Sequence, residues 1–223
     1  MNWEEELDNL RDRRREAIIT AAEEIFLSRD LASVTMTDIA NQAGISRPTL
    51  YKYFPSIHDL AFEIQIRALS GLFDFFTTQL QGDGTALQRM EKMMARMPDF
   101  YAQNRAHLVF TSLFDHYYRT GYPSPELAER YRQFLQNMTH FMNIIDQGQR
   151  DGSIRSDCDP QNTALLVGNL SIAFMQRLAS RAEILTQEQG MDPAAQMQEF
   201  SKMILDHLSN PKPHLSGDAG NEP

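Results

Sequence analysis

From Ile18 to Leu208 the apolar residues return every three or four positions, and no stretch alternates apolar with polar in the manner of a strand. That spacing restricts the chain to packed helices. Ile18, Ala21, Ala22, Ile25 and Phe26 mark the buried stripe of a first helix, which gives out near Ser28-Arg29-Asp30. Thr35, with Asp38 three residues on, reads as a capping box opening a second helix whose inward face is Met36, Ile39, Ala40 and Ala43. Gly44 ends it, supplying the left-handed backbone of a tight turn. Ser46 caps a short third helix with Pro48 in its first turn. Leu50 and Phe54 point inward from that helix, and Pro55 stops it. Ser56 with Asp59 then starts a long helix to about Leu80.

Five further helices are predicted beyond it. The first carries Leu87, Met90, Met94 and Met97, with a kink or break at Pro98, and the second runs from about Arg105 to Thr120. A third starts at Ser124-Pro125 and runs to Gly152. Asp159-Pro160 and Asp192-Pro193 open the last two, separated by a break around Gly190. The expectation is an all-α chain of about nine helices. A three-helix head at residues 1–55 is joined by a long helix to an all-helical body at 56–209. The composition of residues 210–223 predicts a disordered tail.

Two short helices joined at Gly44-Ile45 form a helix-turn-helix, in which the second helix enters the DNA major groove. The physical demands are met in turn. Ala40 is small where the two helices cross, Gly44 makes the turn, and the third helix buries only Leu50 and Phe54. A net charge of -9 argues against a nucleic-acid partner when taken alone. Between Thr35 and Pro55, however, Arg47 and Lys52 outweigh Asp38, and Arg11, Arg13, Arg14 and Arg15 lie just upstream. A locally basic face with modest non-specific affinity follows.

The run from Thr35 through Gly44, Ser46, Arg47, Tyr51 and Phe54 to Ser56 resembles the TetR family signature nearly throughout, and the order of helices resembles that family along the chain up to the tail. Asp146 to Arg155 is similar to the turn before the family's last two helices. The resemblance implies that Arg47, Pro48 and Thr49 read base edges and that Tyr51, Lys52 and Tyr53 reach bases or phosphates. It also implies that Thr35 and Thr37 touch the DNA backbone. Chemistry favours Arg47 for a bidentate contact to guanine. The sequence departs from the family at Asp30, where glycine is usual and the aspartate is expected to take the turn less comfortably than glycine would. It departs again at Ile57, where lysine is usual and a phosphate contact is lost.

The resemblance further implies a body cavity for an unknown small-molecule effector. The aromatic and methionine residues Phe73, Met94, Met97, Tyr101, Phe110, Phe114, Tyr117, Phe134, Met138 and Phe174 are the candidate lining, suited to a lipophilic molecule. Ordinary core is the competing reading for each. It also implies a homodimer through the last two helices, with Ala164, Leu165, Gly168, Ile172, Met175 and Ala179 on one and Met197, Phe200, Ile204 and Leu208 on the other. Burial within one chain is the alternative. A dimer reads a pseudo-palindromic operator on double-stranded DNA. The expected function is a transcriptional regulator, a repressor released by its ligand. The alternative is a DNA-anchored interaction protein whose body recruits a protein partner.

No nucleophile–base pair, P-loop or dinucleotide fingerprint is readable, so neither an enzyme nor a cofactor is expected. The histidines at 58, 107, 116, 140, 207 and 214 have no second ligand at metal-binding spacing, and no metal is expected. Cys158 is the single cysteine, which forbids an intrachain disulfide and suits the cytoplasm. Met1-Asn2-Trp3 followed by three glutamates does not read as a signal peptide. The most apolar stretch, Ala164 to Met175, is too short to span a bilayer, so no membrane partner is expected.

Overall fold

The computed structural model describes residues 3–136 and 143–210. Ten α-helices and no named strand occur among them: α1 (Trp3–Ser28), α2 (Met36–Gln42), α3 (Arg47–Tyr53), α4 (Ile57–Gln79), α5 (Ala86–Ala95), α6 (Met97–Tyr117), α7 (Pro125–Gln136), α8 (Asn143–Arg150), α9 (Pro160–Gln189) and α10 (Pro193–Leu208). The all-α architecture predicted from periodicity is the one observed. Within the stretch read as a single helix from Ser124 to Gly152, the described residues form α7 and α8, and residues 137–142 lie outside them. Met138 lies outside the described residues. So does the expected tail, apart from Asn210, whose amide donates to the Ser153 carbonyl at 3.2 Å.

The caps sit where the sequence puts them. The Thr35 hydroxyl accepts from the Asp38 amide while the Asp38 carboxylate accepts from the Thr35 amide, closing the capping box. Ser46, Ser56, Asp159 and Asp192 each accept from amides of the turn that follows them. Gly44 and Gly190 take positive φ values of 64° and 63° at the two helix ends. A further capping box, Thr85 with Gln88, opens α5 and was not read from the sequence.

Two boundaries differ from the sequence reading. Pro98 stands in the first turn of α6, directly after α5 ends, so the break is real but a helix begins there. Asn104, at φ -122° and ψ 20°, then kinks α6. That kink lies next to Arg105, where the helix was expected to start. Asp30 also departs from expectation. It lies in the extended region at φ -63° and ψ 133°, and its carboxylate accepts from the Ala32 amide to cap a short 3-10 turn, Leu31–Ser33. The aspartate escapes left-handed strain by building a different turn.

Helix α1 packs on α2, α4 and α6, so the head shares its first helix with the body. Ile18, Ile19, Ala22 and Phe26 of α1 close over Ile39 and Leu50, all at 1% exposure or less. In the body, α6 lies against α9, and α8 against both α5 and α9. The Gly148 position admits no larger residue, because a Cβ there would stand 2.4 Å from Ile154 Cδ1. No helix among the described residues is long and apolar enough to cross a membrane.

Candidate nucleic-acid interface and body cavity

Helix α3 presents Arg47, Pro48, Tyr51 and Lys52 to solvent, with Thr49 and Tyr53 half-buried. Leu50, wholly buried, and Phe54 at the helix end fix its depth against α1 and α2. Arg47 and Tyr51 share one face, with the guanidinium 5.9 Å from the ring centre, which biases the arginine to lie along the helix. The Thr49 hydroxyl bonds that of Ser46 at 2.8 Å, so its methyl rather than its hydroxyl is the free contact. Lys52 and Tyr53 border a surface groove with Asp8, Arg11, Asp12 and Arg15 of α1, apart from the N-terminal end of α3. Thr35 and Thr37 are exposed at the start of α2. The Thr35 hydroxyl donates to Asp38 at 2.6 Å and accepts from its amide, so it is committed to the cap. Hydrogen bonds from the Thr35 hydroxyl and amide hold the Asp38 carboxyl below the usual range, with Arg29 adding to the effect. Ile57 packs against the core at the start of α4 rather than facing solvent as a lysine would.

Among the described residues, side-chain polar contacts tie the head to the body at three places. Glu63 of α4 accepts from Arg15 of α1 at 2.8 Å and from Arg130 of α7. Burial pushes the Glu63 carboxyl up, but the two arginines outweigh it and its pKa lies below the ordinary value. Arg67 of α4 donates to Glu16 of α1 at 2.8 Å. His107 of α6 bonds Glu23 of α1 at 2.9 Å, and that bond lowers the Glu23 pKa against the opposing effect of burial. None of these pairs was anticipated, since their members lie 48 to 84 residues apart. Helical periodicity does not report contacts at such separations.

The ten residues proposed as a ligand wall divide into separate places. Phe73 and Met97 line an apolar cavity of about 40 Å³ together with Leu72, Phe76 and Thr77 of α4, Met93 of α5, and Gly168, Ser171, Ile172 and Met175 of α9. Its two hydroxyls are spent within their own helices, Thr77 on the Phe73 carbonyl and Ser171 on that of Val167. Phe110, Phe114, Tyr117 and Phe134 belong instead to an aromatic cluster around Phe62, which meets Phe114, Tyr118, Tyr122 and Tyr131 at ring distances of 4.9 to 5.7 Å. Burial raises the Tyr131 hydroxyl to about 12. Phe110 reaches Phe26 of α1, 5.9 Å away. Met94 borders a groove against α10, Tyr101 donates to the Leu178 carbonyl at 3.3 Å, and Phe174 stacks on Phe200. Of the small and apolar faces assigned to the last two helices, Ala164, Met175, Ala179, Met197 and Leu208 are buried within the chain. Leu165 of the same assigned face is exposed, and Leu166, Leu170 and Ile184 of α9 and Met203 of α10 are exposed beside it without having been assigned.

A short capped helix held against two others, exposing an arginine, a lysine and a tyrosine, has the arrangement of a helix-turn-helix reading head. Residues 18–64 match the family model described as bacterial regulatory proteins, tetR family. Its sequence is 30% identical over 115 residues to the HTH-type transcriptional regulator AlkX of Mycobacterium tuberculosis, covering 52% of this chain and 51% of that one. It is 29% identical over 148 residues to the HTH-type transcriptional repressor KstR2 of Mycolicibacterium smegmatis, covering 66% and 70%. The matched stretch thus spans about half of AlkX and 70% of KstR2. The fold is similar to that of a tetR-family regulatory protein from Rhodococcus RHA1, with a TM-score of 0.67, 19% identity, and 89% and 98% of the two chains covered. These relatives are transcription regulators rather than enzymes.

Proposed function

We propose that the chain is a homodimeric repressor, with residues 1–55 as its DNA-binding head and 56–209 as its ligand-binding and dimerisation body. An apolar small molecule entering between α4 and α9 releases it from a pseudo-palindromic operator. The observation that carries this reading is the composition of the cavity wall. Four of its residues belong to α4, the helix that follows the recognition helix directly after Phe54-Pro55. At about 40 Å³ the space holds little more than water, so a ligand enters only by parting α4 from α9. The wall offers no free hydroxyl, which selects an apolar guest. Movement of α4 carries Glu63, and with it the hold on Arg15 of the head. KstR2 is named a repressor, which favours repression over activation.

Base reading falls to Arg47, Pro48 and Thr49, and Tyr51, Lys52 and Tyr53 add base or phosphate contacts. Thr37 touches the backbone through its side chain, and Thr35 approaches it through main-chain atoms. Two heads must stand about 34–36 Å apart to meet successive major grooves, so a dimer is required. The exposed leucines of α9 and Met203 of α10 supply apolar surface for it.

Selection of bound sequences from a randomised duplex pool, with purified protein at fixed salt, tests the reading. A palindromic consensus with half-sites one helical turn apart is expected, followed by release on adding members of a panel of apolar compounds. Release and ligand affinity must be reciprocal, each weakened about 5–150-fold by the other. A consensus without symmetry, or operator binding that no apolar compound alters, would overturn the dimer or the ligand respectively.

A further inference from the structure

The first turns of α1 form an arm whose apolar face neither the head nor the body covers. Trp3 and every residue from Glu5 to Arg14 are exposed, and the helix is continuous from Trp3 into the packed part of α1. At 1.5 Å per residue the stretch from Trp3 to Arg14 is about 18 Å long. A solvated helix of that length is marginal without a partner. Trp3, Leu7 and Leu10 lie one above another on one face, at 71%, 42% and 60% exposure, with Arg14 next in the same row. The opposite side, with Asp8, Arg11 and Asp12, borders the groove at Lys52 and Tyr53. The apolar row therefore faces away from the molecule.

We infer that this row pairs antiparallel with the same row of a second copy of the chain. The spacing 3, 7, 10, 14 is that of the core positions of a two-stranded coiled coil. In the antiparallel register Leu7 meets Leu10 of the other copy, and Trp3 meets the stem and guanidinium of Arg14, a cation–π arrangement. Charge selects this orientation. Glu6 and Arg13 occupy equivalent flanking positions on the same side of the row, seven residues apart. Antiparallel pairing sets each Glu6 against the other copy's Arg13, while the two contacts are related by a two-fold axis. A parallel pair would face Glu6 with Arg11 instead, but it would set Arg14 against Arg14 within the core row and leave Arg13 without an acidic partner.

Trp3 is the only tryptophan, so intrinsic fluorescence of the full-length chain reports the arm directly. Pairing predicts a blue-shifted Trp3 emission shielded from acrylamide. Leu7→Glu/Leu10→Glu is expected to weaken pairing by at least about tenfold, exposing Trp3 at the same protein concentration. Arg13→Glu faces Glu6 with a like charge and exposes Trp3 too, and Glu6→Arg/Arg13→Glu restores the shielding. All these changes lie on exposed positions, so the thermal transition followed by circular dichroism should stay that of the wild type, with helicity lost at most from the arm's own turns. Trp3 fully quenchable in the wild type at hundreds of micromolar overturns the inference. So does shielding that Arg13→Glu leaves intact, or shielding that arises only when duplex DNA or anionic vesicles are added.

Discussion

At the scale of single residues, the proposed recognition face rests on one arginine more than on any other group. Arg47 is exposed at the first position of α3 and steered along it by Tyr51. Arg47→Ala is expected to cost about 1–3 kcal/mol of discrimination between the selected operator and a variant at the contacted base. Titration of both duplexes by fluorescence anisotropy measures it, and equal losses on both would assign Arg47 to phosphate instead. Glu63 and Glu23 make the second residue-level prediction. Both carboxyls have folded-state pKa values below the ordinary glutamate value of about 4.3. The unfolded chain therefore binds more protons in that range. Their contribution to stability is complete above about pH 5 and is lost as pH falls through the lowered folded values. Glu63→Gln should cost about 1–3 kcal/mol at pH 7 and flatten the acid limb of a urea-denaturation series, because one titrating group has been removed. An unchanged acid limb would show that Glu63 is not held as described.

At the scale of elements, α4 is the part that both the cavity and the head can feel. Its 23 residues begin at the Ser56 cap beside the recognition helix and reach Phe76 and Thr77 in the cavity wall. Filling the cavity with Ile172→Trp should remove release by apolar compounds by pre-empting their space. Calorimetry with a releasing compound, set beside operator binding with and without it, separates that outcome from a general loss of folding. Much of the element plan was legible in the sequence, because caps are local. Thr35 with Asp38, Ser46 with Pro48, and Asp159 with Pro160 state their helix starts within four residues. Thr85 and Gln88 carried the same signal and were passed over beside the loop glycines. The candidate ligand wall was not legible as one place. Periodicity says that Phe114 and Phe73 face inward, but not that one meets Phe62 and the other the cavity beside α9. The Glu63 clamp was invisible for the same reason, with its partners 48 and 67 residues away.

At the scale of the whole molecule, the proposed reading of a palindromic operator requires two heads at fixed spacing. Leu166→Arg on the exposed face of α9, where Leu166 is 58% exposed, leaves the chain's own core untouched. Combined with Leu7→Glu/Leu10→Glu, which removes pairing of the α1 arms, it should give a monomer by light scattering, and affinity for the full palindromic site should fall toward that for a half-site. A dimer that persists would move the interface elsewhere. The body has its own long-range stitching. Helix α5 borrows its first-turn partners from the turn after α8: Asp151 accepts from the Ala86 amide at 2.7 Å and Ser153 from that of Leu87 at 3.2 Å, across 65 and 66 residues. Amides at a helix start ordinarily trade hydrogen with solvent by fraying, with no larger opening needed. Here the two protons are locked by a distant segment. Their deuterium uptake follows the undocking of that segment, which makes the first turn of α5 a clock for how often the body comes apart.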